Sequence, residues 1–242
     1  MPGDWEVEER VGHAATLHAS WPGTDAHPRV RAVAVCRVTA PSVVLGSTQS
    51  EVHIDRTRAA AVGTAVVRRR SGGGAVLVDP EDPVWIDVWV PAGDPLWRAD
   101  VGRAFDWLGD AWVEALRLSG ITGVSARRQG YLSCTRWSSL VCFGGVGTGE
   151  VVTDDGRKVV GLAQRRNRNG SWFHCACVLR WDPRPLVDLL VLSPAERADA
   201  AVDLGAAVVG AADLAGEQGT HSVDGSMITT ALLHSLAAGS GH

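Results

Sequence analysis

Arg68-Arg-Arg-Ser-Gly-Gly-Gly-Ala-Val-Leu-Val-Asp79 sets three arginines and a serine directly before three consecutive glycines. Glycine reaches positive φ and lets the backbone come close to a ligand, while the arginines and Ser71 offer donors to an anion. A flexible linker would be flanked by polar sequence. Here Thr64-Ala-Val-Val67 precedes and Ala75-Val-Leu-Val78 follows, and both flanks read as strands. The reading is a sharp glycine turn between two strands, with Ser71, Gly72, Gly73 and Gly74 facing whatever the turn encloses. Adjacent strand residues point opposite ways, so only one of Arg69 and Arg70 should reach the ligand. Arg70, next to Ser71, is the expected one.

Working outward, residues 5–20 are expected to form an opening helix. Arg31–Val38 reads as a strand, and residues 41–49 as a short apolar strand ending in Leu45-Gly46 and the polar Gln49. Asp55–Ala61 is a helix stopped by Gly63. Residues 83–90 alternate with period two, placing Trp85, Asp87 and Trp89 on one face and Val84, Ile86, Val88 and Val90 on the other. Val101, Phe105, Leu108, Trp112 and Ala115 recur at helical spacing up to Gly120. Strands dominate from about Val124 to Leu179, with a glycine-rich loop over residues 144–149. Ser193-Pro-Ala-Glu196 carries a capping box and should start a helix running to about Ala212. A last helix covers Met227 to Ala237. With neither repeat nor clear linker, the simplest account is one α+β domain over residues 1–242, a central mixed sheet flanked by helices.

Lys+Arg 23 against Asp+Glu 27 gives a net charge of −4, which argues against a nucleic-acid surface. The basic residues are concentrated at Arg68–Arg70 and at Arg157, Lys158, Arg165, Arg166 and Arg168, a pattern that suits an anionic ligand. The acidic N-terminus lacks the apolar core of a signal peptide, and no apolar run approaches the roughly 18 residues of a membrane span. A cytoplasmic protein that engages no membrane is expected. The five cysteines are an odd number without framework spacing and read as reduced thiols. His174-Cys175-Ala-Cys177 lacks zinc-site spacing.

The second informative stretch is Gly156-Arg-Lys-Val-Val-Gly-Leu-Ala-Gln-Arg-Arg166, where a turn at Asp154-Asp-Gly156 presents Lys158 at the start of an apolar strand. Taken alone, Lys158 is either a strand-edge charge or a functional cation. Together with Arg69-Arg-Ser-Gly-Gly-Gly-Ala-Val76 and Asp79, and with the weaker Leu45-Gly46 and Gln49, it resembles the lipoate-protein ligase catalytic domain of the biotin/lipoate ligase and octanoyltransferase superfamily. The motifs lie in the family's order and span about residues 30–180. The Gly-Arg-Gly-Arg loop of biotin ligases is absent.

The resemblance implies a class II biotin/lipoate ligase-like mixed sheet and a medium-chain acyl pocket. It also implies ATP-dependent activation of lipoate or octanoate to an acyl-adenylate, followed by transfer to a lysine of a lipoyl-domain carrier protein. Lys158 takes the catalytic position. Arg70, Ser71, Gly72, Gly73, Gly74, Ala75, Gly161, Ala163, Gln49 and His174 take the acyl or adenylate positions, and Glu150 or Asp79 would lie near Mg²⁺. For His174 the residues leave two readings open, a satisfied core histidine or a group approaching the adenylate.

The family's octanoyltransferases instead pass the acyl group from acyl carrier protein through a cysteine thioester. Cys142-Phe143, then Glu150-Val-Val, then Gly156-Arg-Lys158 matches their pattern and puts Cys142 at the nucleophile. A third reading is a non-catalytic acyl or adenylate binder. Leu162 replaces the usual Ser of the lysine strand, and Cys175 stands where a small residue is expected after the histidine. The C-terminal accessory domain of many lipoate ligases is not seen, so either a separate accessory subunit supplies it or the reaction does not need it.

Overall fold

The computed structural model describes residues 5–19, 30–128 and 133–239. The described strands are β1 (Trp5–Gly12), β2 (Arg31–Val38), β3 (Ser42–Leu45), β4 (Ala65–Arg68), β5 (Val76–Val78), β6 (Val84–Pro91), β7 (Val124–Ala126), β8 (Ser133–Cys134), β9 (Gly145–Val146), β10 (Val151–Thr153), β11 (Lys158–Asn167) and β12 (Gly170–Cys177). The helices are α1 (Ala14–Ala19), α2 (Arg56–Ala61), α3 (Asp106–Leu118), α4 (Arg184–Val187), α5 (Pro194–Ala207), α6 (Ala211–Glu217) and α7 (Gly225–Gly239).

A seven-stranded sheet runs β1-β2-β6-β12-β11-β10-β7, and a three-stranded sheet runs β4-β3-β5. Each has one parallel pair, β1 with β2 and β3 with β4, so both are mixed as expected. The period-two reading of residues 83–90 holds. Val84, Ile86, Val88 and Val90 enter the main core beneath Leu108, Trp112 and Leu116 of α3 and Ile228 and Leu232 of α7. Trp85 points to the other side, packing with Leu17 of α1, Cys36 of β2, and Val44 and Val78 of the small sheet. The small sheet therefore lies over one face of the large sheet, with α5 packed beside it, and α3 and α7 cover the other.

Three expectations change. Residues 5–20 are not one helix: Trp5–Gly12 is a strand paired in full register with Arg31–Val38, and helix starts only at Ala14. Backbone bonding to a neighbouring strand outweighs the local helix propensity of the glutamates, whose charges decorate a sheet edge. The helix from Ser193 has the capping box but stops at Ala207 instead of Ala212. Val208 is extended and bridges Lys158, and a Cβ on Gly210 would sit 2.3 Å from the Leu179 carbonyl. That close approach breaks the run, and α6 resumes beyond it. The helix expected around Val101–Ala115 is a 3₁₀ turn over Arg103–Phe105 followed by α3.

Asp82 ties the strand-β6 entry to the segment after β12, accepting from the Leu179 and Arg180 amides at 3.0 and 2.8 Å. Burial pushes its carboxyl up to about 6, against those two hydrogen bonds. A folded pKa above the unfolded one favours the protonated form in the fold. Stability from this group is thus complete below about pH 4 and is lost as pH rises through 6. Asp82→Asn should flatten the fall in melting temperature across that window, measured against wild type by scanning calorimetry.

Candidate active site

The glycine turn is built around Arg69. Its guanidinium donates to Val44 O at 3.1 Å, to Gly74 O at 2.9 Å and twice to Gly72 O at 2.7 and 3.2 Å, and the residue is 5% exposed. Gly73 has φ +102°, and a Cβ on Gly46 would lie 1.8 Å from its carbonyl. A Cβ on Gly74 would lie 2.7 Å from both Cys142 N and Val141 C. Only glycine at these positions lets the turn press against the chain around Cys142. Backbone bonds fix that contact, with Ala75 N donating to Leu140 O and Cys142 N to Ala75 O.

Arg70, expected at the ligand, is on the exposed side, while Arg69 borders the cavity. Both arginines lie just past the end of β4, so strand alternation does not sort them; burying Arg69 beneath the turn satisfies the carbonyls of Val44, Gly72 and Gly74. Arg165 donates to the Arg70 carbonyl. Ser71 is buried, and its hydroxyl has no hydrogen-bond partner among the described residues. Gln49 does not line the cavity. Its amide accepts from Gly46 N at 3.2 Å and donates to Leu140 O at 2.9 Å, bracing the β3 end against the Cys142 segment. Gly72, Gly73 and Gly74 form the turn itself, and Ala75 is buried beneath it.

Cys142 opens a 3₁₀ turn through Phe143 and Gly144 and is partly exposed. Its Sγ lies 3.9 Å from Arg69 Nη2. Lys158 meets the same turn from below, 1% exposed. Its ammonium donates to the Cys142 and Gly145 carbonyls at 3.2 and 2.9 Å, pairs with Glu150 Oε2 at 2.7 Å, and sits 4.8 Å from the Phe143 ring centre. Glu150 in turn accepts from Gly147 N at 2.8 Å and Leu162 N at 3.0 Å. All three ammonium protons are thus committed. The cation bordering the Cys142 sulfur is Arg69, whereas Lys158 holds the backbone carbonyl of that residue.

Between the two sheets runs a narrow, mostly apolar cavity, with Val44, Val76 and Val78 facing Gly161, Ala163 and Ala176. Cys142 and Arg69 border it, and so do His18, Trp85 and His174. The Asp87 carboxylate, 1% exposed, accepts from Trp85 Nε1 and from His174 Nδ1, each at 2.7 Å. Burial raises its carboxyl, but the charge and hydrogen bond of His174 outweigh burial and hold it below the usual range. His18 stacks on Trp85 at 4.3 Å and meets the His174 ring edge-on at 5.3 Å. Burial, with the charges of His174 and Arg69, lowers His18 to about 3, although Asp87 pulls the other way.

Cys175 and Cys177 turn into the main core, on the opposite face from His174, and burial pushes both thiols up. The His-Cys-x-Cys stretch therefore assembles no ligand set. Glu150 is occupied by Lys158 and two amides, and Asp79 caps Glu81 N and Asp82 N at 2.8 and 2.9 Å. The two carboxylates expected near Mg²⁺ are thus committed elsewhere. Among the described residues no cluster of three His, Cys, Asp or Glu could hold a metal ion. No described helix is long and apolar enough to cross a membrane.

Sequence reading missed Arg69 in favour of its neighbour and gave no role to Asp87 or His18. The available signal was the placement of Asp87 between two tryptophans on an alternating strand, since a carboxylate there needs buried donors.

Solved structures of low sequence identity share this fold. A bi-partite lipoate protein ligase from Thermoplasma acidophilum, studied with its E2 lipoyl domain, superposes with a TM-score of 0.72 at 18% identity, over 98% of this chain and 83% of that one. A lipoate-protein ligase A bound with ATP gives 0.68 at 19% identity, over 99% and 85%. The octanoyltransferase LipM of Kyrpidia tusciae is 33% identical over 140 residues, 57% of this chain and 50% of that protein. LipM of Clostridioides difficile is 28% identical over 142 residues, 59% and 50%. The chain thus spans about half the length of the curated relatives it matches. Residues 24–225 match the family model of the lipoyl protein ligase A/B catalytic domain, and the chain belongs to that family of ligases and octanoyltransferases.

Proposed function

We propose that this enzyme is an octanoyltransferase that carries a medium-chain acyl group as a thioester on Cys142, taking it from acyl carrier protein and passing it to a lysine of a lipoyl-domain carrier protein. The observation that carries the reading is the setting of Cys142. The residue is partly exposed at the border of the apolar cavity, and its sulfur lies 3.9 Å from the Arg69 guanidinium. A cation at that distance stabilises negative charge on sulfur as the thiolate attacks and later departs. The apolar cavity between the sheets, which Cys142 and Arg69 border, is the place this reading gives the acyl chain.

The ATP-dependent ligase reading, favoured by the sequence, needs Lys158 free to meet the acyl carboxylate and phosphate oxygens. Here its three protons are held by Glu150 and two carbonyls, and it does not border the cavity. The partial matches to octanoyltransferases agree with the cysteine route. Incubation with octanoyl-acyl carrier protein should add one octanoyl group to Cys142, released by hydroxylamine and located by peptide mass spectrometry. Mixing with ATP, Mg²⁺ and octanoate or lipoate should release no pyrophosphate. Pyrophosphate release without a thioester would overturn the proposal in favour of lipoate ligation, and binding without either product would leave the non-catalytic reading.

A further inference from the structure

Four neighbouring strands present one register row to the cavity. Gly161 of β11 pairs with Ala176 of β12, Ala176 with Trp85 of β6, and Trp85 with Cys36 of β2. Gly161 stands against the Cys142-Phe143 turn, since an added Cβ there would lie 3.3 Å from the Phe143 ring. Moving away from that turn, the row carries a hydrogen atom, then a methyl group, then an indole. The two small residues leave a groove in the sheet surface, and the tryptophan closes it. Val44, Val76 and Val78 of the small sheet face the same space from the other side.

The indole is fixed in that position. Trp85 Nε1 donates to Asp87 Oδ1 at 2.7 Å, and the His18 ring of α1 stacks on it at 4.3 Å. Swinging it aside would leave a buried carboxylate short of a donor, which is costly. A second cavity lies beyond it, where the end of β2 and the start of β6 meet the start of α7, bordered by Cys36, Val38 and Thr229. Val78, Pro83 and Trp85 border both cavities, and Trp85 is the bulkiest of the three. The cavity on the Cys142 side measures 50 Å³ and the one beyond measures 280 Å³, so most of the open space lies past the indole.

Strand spacing converts this row into a length. Neighbouring strands lie about 4.8 Å apart, which puts the Trp85 position about 9.6 Å from Gly161 across the sheet. An extended chain advances about 1.2 Å per bond, since the three bonds of one residue cover about 3.5 Å. The groove is therefore about eight bonds long, the count from a thioester sulfur to the last carbon of an octanoyl group. We infer that Trp85 is the stop that sets acyl chain length in this site, and that the cavity behind it takes the tail of a longer acyl group once the indole is cut back. The inference rests on the reading above that an acyl group on Cys142 lies in this cavity. One further strand spacing, from Trp85 to Cys36, adds about four bonds, so the opened site should suit a dodecanoyl group.

The test reads chain length on the full chain. Acyl-enzyme formation is timed with acyl carrier protein bearing saturated groups from hexanoyl to tetradecanoyl, for wild type, Trp85→Ala, Trp85→Leu and Ala176→Val, each checked for folding by its melting curve. Wild type should peak at octanoyl. Trp85→Ala should move the peak to dodecanoyl and raise the dodecanoyl-to-octanoyl rate ratio by about 10²-fold, the scale set by burying several more methylenes. Trp85→Leu keeps an apolar plug and should move the peak part of the way. Ala176→Val adds bulk on the Cys142 side of the stop and should favour hexanoyl. A folded Trp85 variant that still peaks at octanoyl, even with every rate lowered, overturns the inference. Where neither Trp85 variant folds, Ala176→Val decides, and an unmoved peak there overturns it. Failure of wild type to form a thioester with any acyl group removes the Cys142 reading instead. Calorimetric binding of the free acids of the same lengths then judges the stop alone, which stands if the binding optimum lengthens in the Trp85 variants and falls if it does not.

Discussion

Cys142→Ala should lower octanoyl transfer by roughly 10⁴-fold, the scale on which removal of a covalent nucleophile acts, while leaving the melting temperature nearly unchanged. The residue is partly exposed, and among the described residues its side chain's one polar contact is the long one to Arg69. Shortening it by one sulfur therefore costs about 1 kcal/mol at most. The backbone bonds of residue 142, its amide to Ala75 O and its carbonyl from Lys158, survive the change. An intact fold with no transfer identifies the sulfur as the acyl carrier. A ligase would behave otherwise, because an adenylate passes directly to the acceptor lysine and needs no thiol. Normal lipoylation by folded Cys142→Ala would thus dismiss the thioester route. Mass spectrometry of the variant after incubation with octanoyl-acyl carrier protein supplies the independent check that no other cysteine takes over.

The same residues show why some of this was legible in sequence and some was not. The glycine turn and the Lys158 strand declare themselves because their constraints are local. Positive φ at Gly73 and the 1.8 Å clash that a Cβ on Gly46 would meet can be satisfied only by glycine. Alternation along residues 83–90 likewise separated Asp87 from the core-facing valines, since a period of two is fixed by the backbone. What sequence could not carry is partnership across the sheets. The choice of Arg69 over Arg70 depends on carbonyls of Val44 and Gly74, and the meaning of Asp87 depends on His174, which is 87 positions away in the chain. The opening strand failed for a related reason. Its residues have fair helix propensity, and only the register with β2 decides against it. Lys158 was noticed at once but its orientation was not, because Glu150 and the Cys142 carbonyl reach it through a loop whose glycines carry no directional signal.

That orientation leads to the second large effect. Lys158→Met should destabilise the protein by about 3–5 kcal/mol, the cost of stranding one half of a buried ion pair. Glu150 would remain with two amide donors and no counter-charge, and the carbonyls of Cys142 and Gly145 would lose their donor. Glu150→Gln should cost a similar amount, since an amide NH₂ would then face either the Leu162 N–H or both the Gly147 N–H and the ammonium, donor against donor. The double variant removes both charges together, so it should be less damaged than the sum of the singles, with a coupling energy of about 1–3 kcal/mol. Urea midpoints of the four proteins measure this directly. A catalytic lysine free in an adenylate pocket predicts another pattern, in which Lys158→Met loses ATP-dependent activity, keeps its stability and shows no coupling to Glu150. The turn that presents Cys142 rests on this ion pair, so stability and acyl-enzyme formation should fall together in Lys158→Met. Partial recovery of both in the double variant would tie the lysine to holding the nucleophile's backbone in place.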